Sequence, residues 1–143
     1  MILVDTSLWI DHFRRGNPRL RKLLEEGVVL CHAHVIGELA CGNLHNRSEI
    51  LSLLSSMPQA RQASDSEVVH FIETSQLYGK GLGWVDMHLL ASALLTQVNL
   101  WTLDKRLKGI TEPLNISAWT FVTAFATTAG SRWSCALLTF FHR

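Results

Sequence analysis

The chain opens on Met1-Ile2-Leu3-Val4-Asp5-Thr6-Ser7, and this stretch constrains the fold more than any other. Three successive apolar residues leave no polar face, so they read as a buried strand of the kind found in parallel sheets. That strand runs straight into an acid and two hydroxyls. In open α/β sheets, ligands and chemistry occupy the crevice beyond the C-terminal ends of the strands, which is where Asp5 is delivered.

The rest of the chain alternates in the same style. Thr6 and Ser7 are placed to cap a short helix reaching about Arg14, with Leu8, Trp9 and Phe13 on its apolar side. Gly16-Asn17-Pro18 breaks it, and Pro18 suits the first turn of a second helix that Gly27 stops. A strand over 28–31 leads into a helix over 35–41 that carries Glu38 among Val35, Ile36, Leu39 and Ala40; Gly42 is its stop. A helix over 47–57 ends at Pro58, and Ser64-Asp65-Ser66-Glu67 reads as a capping box opening a helix to about Tyr78. After the loop Gly79-Lys80-Gly81-Leu82-Gly83 comes a helix over 85–96, then a strand over 99–103 running into Asp104 and a basic turn over 105–108. Ile116 opens or forms a last short strand. Alternation of this kind predicts an α/β fold, a mostly parallel central sheet with helices on both faces.

Composition limits what the fold can do. The 143 residues make one domain with 48% hydrophobic and 17% charged residues, which excludes a disordered chain. A formal net charge of +1 gives no global attraction to nucleic acid, so any such binding uses local patches. Cys31, Cys41 and Cys135 are an odd number without a CxxC spacing and read as reduced, small buried residues. No basic leader precedes an apolar signal, and no window reaches the roughly 20 apolar residues of a membrane span. The expected setting is soluble cytoplasm, with no membrane partner.

Four acids carry the functional reading, and each has a plain alternative. Asp5 and Asp104 follow strands, where Asp commonly caps the next helix. Asp86 lies in a first helical turn, where the dipole favours an acid. Glu38 can face solvent. Together, at the ends of buried strands and on the helices beside them, they describe a site where carboxylates would repel one another and raise each other's pKa values unless divalent cations relieve them. Mg²⁺ takes one or two carboxylates, keeps waters and leaves room for phosphate oxygens, and its chemistry there is phosphodiester hydrolysis.

With the acids in place, Val4-Asp5-Thr6-Ser7, Ile36-Gly37-Glu38-Leu39, Val85-Asp86 with Leu90-Ala91-Ser92-Ala93, and Leu100-Trp101-Thr102-Leu103-Asp104 resemble the PIN-domain ribonucleases, and among them the VapC toxins of bacterial toxin–antitoxin pairs. The resemblance covers about residues 1–116. It implies a PIN-like three-layer fold, Mg²⁺- or Mn²⁺-dependent RNA cleavage, a cognate antitoxin in the active-site groove, and a homodimer. DNA would be reached only indirectly, through the antitoxin. Carried over by position, Asp5, Glu38, Asp86 and Asp104 are the catalytic and metal-binding acids, and Thr6 and Thr102 the hydroxyls that support them. The departure is the tail over 117–143. It matches no part of the family pattern, and from Pro113 onward it contains no acid.

RNA also needs positive charge. Arg14 and Arg15, within a run that includes Arg19, Arg21 and Lys22, and Lys105 and Arg106, directly after the last acid, are the candidates; each run also reads as a solvated helix face. Trp9 reads as core, whereas Trp84, after the glycine loop, is open enough to stack on a base. His32 and His34 read as neighbours on a strand without the partners a metal site requires. Two rivals remain: a binding protein that keeps the fold without catalysis, and a phosphatase using Asp5 as nucleophile. The second commonly wants another acid two residues on, where this chain has Ser7.

Overall fold

A computed structural model describes residues 1–118, and the rest of the tail lies outside the described residues. Strand β1 (Ile2–Val4) is central, between β2 (Val29–Leu30) and β3 (Asn99–Trp101), and both pairings are parallel. Leu3 stands opposite Leu30 on one side and Leu100 on the other. Isolated parallel bridges extend the outer edges, Cys31 with Gln59 beyond β2 and Leu100 with Ser117 beyond β3. Successive strand residues point to opposite faces, yet Ile2, Leu3 and Val4 are all fully buried. Helices therefore cover the sheet on both sides, the arrangement expected of an α/β chain.

Seven helices complete the described part: α1 (Thr6–Arg15), α2 (Pro18–Glu25), α3 (Ala33–Cys41), α4 (Arg47–Ser56), α5 (Asp65–Thr74), α6 (Trp84–Thr96) and α7 (Lys105–Thr111). α3 packs against α1, α4 and α6, and α5 against α6. α6 is buried almost around its whole girth, from Met87 to Ala93, and acts as a central post. Pro18 occupies the first turn of α2, Asn17 caps it by accepting the Leu20 N–H at 3.0 Å, and Gly27 at φ 67° lets the chain turn into β2.

Several boundaries differ from the sequence reading. The residue before α1 is Asp5, not Thr6 or Ser7, and its carboxylate caps nothing. α5 stops at Thr74 rather than Tyr78, because Gln76 takes a left-handed φ of 51° and turns Leu77 into the core without any glycine to announce it. β3 ends at Trp101 rather than Leu103, because Thr102 is drawn into the site described below. The histidines are not neighbours on a strand: His32 caps α3, its ring accepting the His34 N–H at 3.0 Å, and His34 lies inside that helix. Ser117 and Ala118 belong to the packed body, Ala118 being buried. Among the described residues no helix is long and apolar enough to cross a membrane.

Candidate active site at the ends of the parallel strands

β1 leads straight into Asp5. The Asp5 N–H still donates to the Trp101 carbonyl at 3.0 Å, so the β1–β3 pairing continues one residue further and fixes the backbone beneath the carboxylate. Asp5 is only 6% exposed. Burying an acid without partners is expensive, and here two hydroxyls supply them: Ser7 Oγ and Thr102 Oγ1 each donate to Asp5 Oδ2 at 2.7 Å. Each hydroxyl accepts in turn, Ser7 from the Leu103 N–H and Thr102 from the Asp104 N–H, both at 3.0 Å. A hydroxyl has one proton to give, so the two backbone donors orient both protons toward Asp5. The network ties β1, α1 and the β3–α7 turn to one carboxylate oxygen.

The other acids arrive from three helices. Asp104 caps α7, its Oδ1 accepting the N–H groups of Arg106 at 2.8 Å and Leu107 at 3.1 Å. Asp86, in the first turn of α6, reaches back with Oδ2 to the Gly83 N–H at 3.0 Å. Burial above all raises the Asp86 carboxyl above its ordinary pKa; the Gly83 bond pulls the other way, and the charges of Asp5 and Asp104 push it up further. These three acids thus share one electrostatic field. Glu38, exposed on α3, is joined to them through Thr6, whose Oγ1 donates to Glu38 Oε1 at 2.8 Å.

The capping roles are real, and they do not exhaust the side chains. In each of the four carboxylates one oxygen takes the internal hydrogen bonds (Asp5 Oδ2, Glu38 Oε1, Asp86 Oδ2, Asp104 Oδ1) and the second is engaged by no described residue. No three His, Cys, Asp or Glu side chains among the described residues stand together as a ready metal cluster. A hard cation does not require one. Mg²⁺ commonly takes one or two carboxylate oxygens and fills its shell with water, a demand that an all-oxygen donor set of this kind fits.

The hydroxyls divide their work by partner. Thr102 holds Asp5, whereas Thr6 holds Glu38. Ser7, which sequence reasoning treated only as a helix cap, is the second donor to Asp5. Its signal was available as a hydroxyl two residues after an acid at a strand end. Among the basic candidates, Arg15 pairs with Asp11 one turn earlier, Arg14 is exposed, and Lys105 and Arg106 are exposed on the first turn of α7. Trp9 is fully buried and Trp84 is 43% exposed.

A second polar cluster lies behind α6. His34 and His88 stack with ring centroids 4.2 Å apart, and His32 hydrogen-bonds Ser92 Oγ through Nε2 at 2.9 Å. Burial, reinforced by His34 and His88, pushes the His32 pKa down to about 4. Burial likewise pushes the Cys31 thiol up to about 12, which removes it as a nucleophile.

Comparison with known proteins agrees with this fold. A family model described as the PIN domain matches residues 2–113, a span that contains all four acids. The chain belongs to the PIN-domain family. Within that family it is similar to Ribonuclease VapC32 of Mycobacterium tuberculosis, from strains CDC 1551 and H37Rv. Each match is 46% identical over 110 residues and spans 76% of this chain and 89% of the relative.

Proposed function

We propose that this chain is a VapC-type toxin of a toxin–antitoxin pair, a divalent-metal-dependent endoribonuclease that hydrolyses RNA phosphodiester bonds in the cytoplasm. The observation that carries the reading is the hydrogen-bonded set at the strand ends: Asp5 held by Ser7 and Thr102, the Asp104 backbone bonded to that same Thr102, and Glu38 joined to α1 through Thr6. Similarity to a protein named as a ribonuclease supplies the substrate class.

In this reading Asp5 and Asp86 hold Mg²⁺ or Mn²⁺ directly, with Asp104 and Glu38 completing the set through water. A bound ion would supply charge neutralisation at the phosphodiester and a lowered pKa for the attacking water. The protein's own residues do the positioning. Ser7 and Thr102 hold Asp5 through Oδ2 and leave Oδ1 for an ion, and Lys105 and Arg106, on the first turn of α7 directly after Asp104, would meet the phosphates of the RNA. The phosphatase alternative loses ground on the same geometry, because Ser7 is spent on orienting Asp5.

A cognate antitoxin protein is the expected partner, in the groove of about 890 Å³ between α1, α3 and α4, which is lined by Ile10, Phe13, Leu39 and Leu44 and reaches Glu38. A homodimer is the expected assembly, and DNA contact belongs to the antitoxin.

The test is cleavage of total cellular RNA by the purified protein with Mg²⁺ or Mn²⁺, with EDTA, and with an Asp86→Asn variant. Metal-dependent cuts at a few sites, lost in the variant, support the proposal. Intact RNA under every condition would leave a binding protein in its place.

A further inference from the structure

The residue between β2 and α3 does two jobs with one ring. His32 is fully buried. The chain leading into it is fixed, because Cys31 donates its N–H to the Pro58 carbonyl at 2.9 Å and accepts the Ala60 N–H at 2.8 Å. From that base the imidazole caps α3. Its Nδ1 accepts the His34 N–H at 3.0 Å, and the His32 carbonyl accepts the Ile36 N–H at 3.1 Å as the helix begins. Ser, Thr, Asp and Asn are the usual caps, and any of them could take this bond. None carries a second group far enough out to reach another helix.

The far side of the ring does reach one. Nε2 of His32 stands 2.9 Å from Ser92 Oγ on α6, and Ser92 is also fully buried. An Nδ1 that accepts a backbone N–H carries no proton, so the neutral ring holds its proton on Nε2 and donates it to the serine. Burial keeps the ring in that form, its pKa pushed down to about 4. Glu38 follows His32 by six residues on α3, and Asp86 precedes Ser92 by six on α6. At 1.5 Å per residue each acid lies about 9 Å along its helix from this tie. A tilt of α3 at its cap therefore carries Glu38 with it.

We propose that His32 is a positioning residue for the acids, its bond to Ser92 seating α3 on α6 and so setting where Glu38 stands relative to Asp86. The proposal rests on the metal-dependent reading of the site and adds to it a residue outside the carboxylate set. A cap alone accounts for Nδ1, and packing alone would be served by an apolar residue at position 92. A buried hydroxyl paired with a buried imidazole nitrogen across two helices is specific in length and direction, and removing either partner leaves the other unsatisfied.

The experiment measures the Mn²⁺ dissociation constant of the full chain by electron paramagnetic resonance, with the urea midpoint of the same preparations. Ser92→Ala removes the tie and leaves the cap. His32→Asn keeps an acceptor for the His34 N–H and is too short to reach Ser92. Each is expected to weaken Mn²⁺ binding about tenfold, the lower end of the loss seen when groups that orient metal ligands are removed. In a Glu38→Gln background, which itself weakens binding, the same two changes are expected to have no further effect, since the carboxylate they place is gone. His32→Gln offers an amide N–H to Ser92 but no acceptor in the place of Nδ1. It is expected to retain most of the Mn²⁺ affinity while lowering the urea midpoint. Parental affinity in both tie-cutting variants, or a tenfold loss that persists in the Glu38→Gln background, would overturn the proposal. Ser92→Ala decides by itself if His32→Asn does not fold. A parent that binds no Mn²⁺ overturns the metal reading as well, a different result from variants that match a parent competent to bind.

Discussion

Two buried polar clusters border α6, and they solve the same problem in opposite ways. Around Asp5 the chain gathers donors: two hydroxyls, each locked by a backbone N–H, converge on one oxygen. Around His32 and His88, with His34 stacked on His88, it suppresses charge instead: burial favours the neutral form of His32 and of His88. The first cluster holds its carboxylate by one oxygen and leaves the other without a partner among the described residues. The second packs between α3 and α6, the helices that carry Glu38 and Asp86, and reaches α5 through His88 Nε2, which stands 3.2 Å from Asp65 Oδ1. Burial alone therefore does not mark a functional group; the donors arranged around it do.

The comparison breaks most readily at Asp5. Asp5→Asn should lower RNA cleavage by a hundredfold or more, on the order of the loss of an essential acid–base or metal-positioning group, with little change in circular dichroism. Unchanged cleavage would make the cluster merely structural. Thr102→Val removes one donor and strands the Asp104 N–H, so an activity loss of about 10–100-fold and a stability loss of about 1–3 kcal/mol are expected. Activity and urea midpoint measured on one preparation check both.

The histidine cluster sharpens the contrast through pH. His32 has a depressed folded pKa, so its contribution is present above the unfolded value of 6.5 and is lost as pH falls toward about 4. Its full size is about 3 kcal/mol, at 1.36 kcal/mol for each pH unit between those values. Thermal unfolding followed from pH 7 to pH 4 should show Tm falling through this window, and His32→Gln should flatten the fall. Asp86 gives the smallest effect and the opposite sign. Its folded pKa is raised, so its contribution is present below 3.8 and is lost as pH rises through the folded value. In chelator at neutral pH, Asp86→Asn should therefore raise Tm by a degree or two, on the order expected for relief of a partly buried charge. The difference should vanish in acid. A lower Tm in the variant would mean that the carboxylate's stronger bond from Gly83 outweighs the cost of burying its charge near Asp5 and Asp104.

Much of this arrangement was legible in the chain. Ile2-Leu3-Val4 read as a strand covered on both faces, which is what forms, and Asp5 read as the residue that this strand delivers at its C-terminal end. What stayed hidden depended on long-range partners. Nothing local distinguishes Thr6 from Ser7, yet one bonds Glu38 and the other Asp5, because α1 turns successive side chains in different directions. The early end of α5 rests on a left-handed Gln76, a conformation that glycine or asparagine would have signalled. The stack of His34 on His88 joins residues far apart in sequence, and neither helix announces it.

The central claim is that these four carboxylates form one metal site. The most direct measurement is Mn²⁺ titration by electron paramagnetic resonance on the parent and on Asp5→Asn, with Mg²⁺ as competitor. Saturable Mn²⁺ binding is expected, displaced by Mg²⁺ and severely weakened by Asp5→Asn while the fold persists. Saturable binding that Asp5→Asn leaves untouched, or no saturable binding in the parent, would contradict it.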